Sequence, residues 1–132
     1  MSVNLTGTWK ANLSKSRLMG PTPKAVLVKI VHSGPELCEE ILVTRADGSE
    51  ERAIFQCWTD GTHDKSLLNG KAVRGGARWE GDELVIESCV RVGTTEMYFC
   101  DCWSVSSDGQ TLSMEHRKGS LAGQLTILDR TA

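Results

Sequence analysis

Short runs rich in Val, Ile, Thr and aromatic residues follow one another along this chain, and in several of them apolar and polar positions alternate. Leu112-Ser113-Met114-Glu115-His116-Arg117 shows the pattern: Leu112, Met114 and His116 fall on one face and Ser113, Glu115 and Arg117 on the other. That period of two belongs to a strand. The runs are cut by Ser33-Gly34-Pro35, Ala46-Asp47-Gly48, Asp60-Gly61, Asn69-Gly70, Gly75-Gly76, Gly81-Asp82, Gly93, Asp108-Gly109 and Gly119. Asn-Gly and Asp-Gly supply the positive φ angles of tight hairpins. No window carries a helical period. The spacing predicts ten strands, near residues 5–12, 25–32, 37–45, 50–58, 63–69, 72–79, 84–92, 95–104, 111–118 and 123–130. Connections this short join antiparallel neighbours, because a parallel crossover needs a dozen or more residues. A meander of this size closes on itself and removes its open edges. The expected fold class is all-β: an antiparallel up-and-down β-barrel of about eight to ten strands with little or no helix.

Length adds that residues 1–132 make a single domain. The net charge of −2 comes without a basic run, which argues against nucleic-acid binding and against a polybasic membrane anchor. The longest apolar runs, Ala25 to Val28 and Ile41 to Val43, are far short of a membrane helix. Met1-Ser2-Val3-Asn4-Leu5-Thr6 lacks the pattern of a signal peptide, so a cytoplasmic location is expected. Five cysteines are an odd number: Cys38, Cys57, Cys89, Cys100 and Cys102. They are read as reduced, half-buried thiols. Cys100 and Cys102 share a strand face, and a metal would need further ligands such as Cys57 or His63; no metal and no cofactor are expected.

Leu5-Thr6-Gly7-Thr8-Trp9-Lys10 resembles the opening strand of the calycin group, the lipocalins and fatty-acid-binding proteins, and Thr126-Ile127-Leu128-Asp129-Arg130 resembles its closing strand. The layout is most similar to small bacterial lipocalin-like proteins of unknown function. They share the Thr-Gly-Thr-Trp-Lys opening, a stretch like Asn12-Leu13-Ser14-Lys15-Ser16 and a hairpin like Ser106-Ser107-Asp108-Gly109-Gln110-Thr111-Leu112. The resemblance implies that Gly7, Trp9 and Arg130 close one end of the barrel, with the guanidinium stacked on the indole. Two features depart from fatty-acid-binding proteins. The connection from Leu13 to Lys24 is too short for their helical lid, and Thr126 and Leu128 stand where an Arg and a Tyr would grip a ligand carboxylate.

The candidate binding residues are Trp58, Phe99, Asp101, Trp103, Met114 and His116. Trp58 and Trp103 end strands beside polar hairpins, and aromatic walls suit a ligand pocket. In the eighth strand both faces are partly apolar; the face with Met97, Phe99, Asp101 and Trp103 is read as the inner one. Asp101 and His116 then lie on neighbouring inner rows, where they could bind a polar ligand head or move a proton. No catalytic motif is present. The expected function is a binding protein for a small hydrophobic or amphipathic molecule held inside the barrel, as a monomer or homodimer. Two alternatives stand beside it: a structural or interaction domain with a filled barrel, and a barrel enzyme using Asp101 and His116.

Overall fold

The computed structural model describes residues 4–62, 65–119 and 121–131. Eleven antiparallel strands form one sheet: β1 (Gly7–Ala11), β2 (Ala25–Ser33), β3 (Glu36–Thr44), β4 (Glu50–Trp58), β5 (Leu67–Leu68), β6 (Lys71–Ala72), β7 (Arg74–Glu80), β8 (Glu83–Val92), β9 (Thr95–Val105), β10 (Thr111–Lys118) and β11 (Leu125–Arg130). The described residues contain no helix. Each strand from β1 to β6 and from β7 to β11 pairs with its neighbours in sequence. β1 pairs with β11 so that the two ends of the chain meet, Trp9 opposite Arg130, and β6 and β7 are the two ends of the sheet. The expected barrel is therefore present, with one strand more than the spacing predicts. The difference lies in the fifth and sixth runs. Asn69 and Gly70 both take positive φ, 51° and 81°, and fold Leu67 to Ala72 into a miniature hairpin before β7 begins. His63 and Asp64, at the start of the expected fifth strand, lie outside the described residues.

The ladder is incomplete only between β6 and β7. The gap is stitched by single hydrogen bonds: Val73 N–H to Ser66 O, Ser66 Oγ to the Gly75 carbonyl, and Gly61 N–H to the Ala77 carbonyl. Thus the barrel is nearly closed. Gly75 permits the close approach of β7 to β8. A Cβ there would sit 2.3 Å from the Glu87 carbonyl oxygen.

One end of the barrel is filled. Leu5, Trp9, Ile30, Leu37, Leu84, Leu112 and Leu128 are almost entirely buried there. They come from six strands and the segment entering β1, so the packing ties distant parts of the chain together. The Arg130 guanidinium lies 4.2 Å above the Trp9 ring, and donates to the carbonyls of Thr6 and Gly109. Trp9 Nε1–H donates to the Leu5 carbonyl. Gly7 is required beneath this stack. Its φ is +152°, and a Cβ would meet Arg130 Nη1 at 2.5 Å. No helix among the described residues is long and apolar enough to cross a membrane.

Candidate functional site

The other half of the barrel is open. A cavity of about 590 Å³ lies between β2, β3 and β4 on one wall and β9, β10 and β11 on the other. Its mouth is ringed by the segment from Leu18 to Pro23, by Arg45 and Ala46, and by Leu121 and Gln124. The walls are mostly apolar, with Val28, Ile41, Ala53, Trp103 and Met114 among them. The residues follow from strand parity. On β10, Leu112 points into the filled end, Met114 sits one pleat further along the same face, and His116 one beyond that.

Asp101 and His116 are direct cross-strand partners on β9 and β10. His116 Nδ1 and Asp101 Oδ1 are 2.7 Å apart, and both side chains are about a quarter exposed. In the pairing that leaves the carboxylate as acceptor, Nδ1–H donates to Asp101. Across the cavity, on β3, stands Glu39. It is only 5% exposed, lines the cavity, and makes no side-chain hydrogen bond or ion pair with the described residues. Burial, reinforced by the charge of Asp101 on the opposite wall, raises its carboxyl from the ordinary 4.5 to about 8. At neutral pH Glu39 therefore holds its proton and is both donor and acceptor. Thr126, also buried, adds a hydroxyl to the same lining.

Sequence reasoning missed Glu39. The signal was available: Leu37, Glu39, Ile41 and Val43 share one strand parity, so a glutamate stands in an otherwise apolar row. Of the six candidate residues, the cavity lining includes Asp101, Trp103, Met114 and His116. It excludes Trp58 and Phe99. Buried Cys57 points inward, so its neighbour Trp58 falls on the outer parity of β4, where Lys65 lies 5.6 Å over its ring. Phe99 shares the parity of Asp101 but packs its ring on Gly119 outside the lining; a Cβ at Gly119 would meet that ring at 2.5 Å. A second hollow, about 600 Å³, lies near the β6–β7 gap. It is a surface groove lined by Lys71, Arg74, Arg91 and Glu96, in which Glu96 pairs with both Arg74 and Arg91.

All five cysteines are free thiols. Burial and the nearby Glu39 push Cys57 up to about 12, and burial with the Glu83 hydrogen bond likewise raises Cys102. Neither offers a thiolate at neutral pH. No group of three or more His, Cys, Asp or Glu among the described residues is arranged to hold a metal; His63 lies outside them. Replacing all five cysteines, Cys57 by Ala and the others by Ser, should leave a folded, weaker protein. Urea unfolding checks this, and loss of the folded baseline would give the thiols a structural role.

No family model and no curated protein matches the chain.

Proposed function

We propose that this chain is a calycin-like barrel, one cytoplasmic domain, that binds a small, mostly apolar, amphipathic molecule in its open half. One observation carries the reading. A cavity of about 590 Å³, within the usual range of small-molecule sites, has apolar walls and a polar cluster of Glu39, Asp101 and His116. A partly empty interior favours a ligand over the filled-barrel alternative. The Trp9–Arg130 stack supports the calycin likeness.

Tryptophan fluorescence tests it. Trp103 is 3% exposed and lines the cavity, whereas Trp9 is in the filled end. A bound molecule should quench or shift the emission saturably, and Trp103→Phe should remove most of the response. If a panel of lipids, aromatics and tetrapyrroles gives no saturable change, the reading fails.

A second reading draws on the 2.7 Å Asp101–His116 pair beside a carboxyl that keeps its proton near neutrality: proton transfer on the bound molecule. The two part on one point. A binding protein returns its ligand unchanged, and an enzyme returns an isomer or a hydrolysed product.

A further inference from the structure

The cavity is unusually rich in acceptors. Glu39 contributes a buried carboxyl with no hydrogen-bond partner among the described residues, Asp101 has a second carboxylate oxygen beyond the one bonded to His116, and Thr126 adds a hydroxyl. Cationic groups are committed elsewhere. Arg45, at the mouth, is paired with Glu51 and also donates to Ser49, and His116 is paired with Asp101. No lysine lines the space. A ligand carboxylate would bring a third acid into this cluster and find no free cation. Arg78 offers none, being held by Glu80 and Glu87. Among the described residues no fully buried side-chain oxygen is left unsatisfied, so the Glu39 carboxyl opens onto the cavity, and the group that best pairs with it there is a donor of opposite charge.

From this charge complementarity we infer that the ligand carries a primary amine, and that its ammonium is bonded by Glu39 and Asp101 while its apolar body lies along Trp103, Met114, Val28 and Ile41. The inference rests on the reading of the cavity as a ligand site and adds the chemical class. An ammonium has three donors, which suits two carboxylates and a neighbouring hydroxyl. Binding releases a proton, because Glu39 holds one in the free protein and must give it up to pair with the cation. The titratable groups facing Glu39 are Asp101 from β9, His116 from β10 and Cys57 from β4, with Arg45 and Glu51 at the mouth. The raised Cys57 thiol stays neutral through this range, and Arg45 and Glu51 cancel one another. Affinity for an amine therefore rises as pH climbs toward 8 and levels off above it.

Titration with three probes of equal apolar body, n-octylamine, n-octanol and octanoate, tests this by calorimetry and Trp103 emission. At pH 8.5 octylamine should bind roughly tenfold or more tighter than octanol, the factor expected of one charge-assisted hydrogen bond, and octanoate weakest. Glu39→Gln should cost most of that preference and abolish the rise in amine affinity between pH 6 and 8.5. Asp101→Asn should weaken the amine as well. Thermal unfolding of each variant separates loss of binding from loss of fold. Equal affinities for the three probes, or octanoate tightest, would overturn the amine while leaving the cavity a ligand site. Absence of any binding, with Trp103 emission unchanged across the wider panel, would remove both.

Discussion

Glu39→Gln should make the ligand-free protein markedly more stable than the wild type at pH 8.5, while at pH 4.5 the two differ little. In the folded chain burial and Asp101 hold the carboxyl to about 8; unfolded, it titrates at its ordinary 4.5. Between these values the unfolded chain loses its proton and the folded chain keeps it, so the folded state binds more protons and stability falls as pH rises. The contribution is fully present below 4.5 and lost as pH passes through about 8. At about 1.4 kcal/mol per unit, the span corresponds to at most about 5 kcal/mol. Glutamine has the same shape and no charge to bury, so its variant escapes this slope. Urea unfolding at several pH values reads the effect. Parallel stability curves for the two proteins would mean that Glu39 reaches water and that the cavity is wetter than its walls indicate.

Trp9→Ala should destabilise the fold by roughly 3–5 kcal/mol, the range for truncating a large aromatic in a core. The indole is fully buried, bonds the Leu5 carbonyl, and carries the Arg130 guanidinium on its face. Its loss opens a void at the one place where β1 and β11 join the ends of the chain. The same void leaves Arg130 without its ring. Denaturant unfolding measures it, and a loss below about 1 kcal/mol would put Trp9 outside the core.

Much of the barrel was legible. Asn-Gly and Asp-Gly pairs mark turns because glycine tolerates positive φ: Gly48, Gly61, Gly70 and Gly109 take it, and at Asn69-Gly70 both residues do. The Leu112 to His116 alternation assigned an inner row on β10 that matches the burial of Leu112 and Met114. The short β5–β6 hairpin was not legible, since two-residue strands have no period to read. The cavity residues were legible in part. Asp101 and His116 could be placed on neighbouring rows, but Trp58 was drawn toward the interior by its chemistry although its parity points outward.

What the sequence determines by itself is local: strands, turns and the faces within each strand. These follow from φ restrictions and a two-residue period, which need no distant partner. The tertiary structure decides which half of the barrel is filled and which is open. It also decides that Glu39, whose row the strand parity already marks, stands opposite Asp101. That choice depends on the register of β3 between β2 and β4 and on the curvature that brings β9 across from it. A carboxyl's environment is a property of the closed barrel, because the Asp101 charge and the Trp103 and Met114 walls facing Glu39 arrive from more than a third of the chain away.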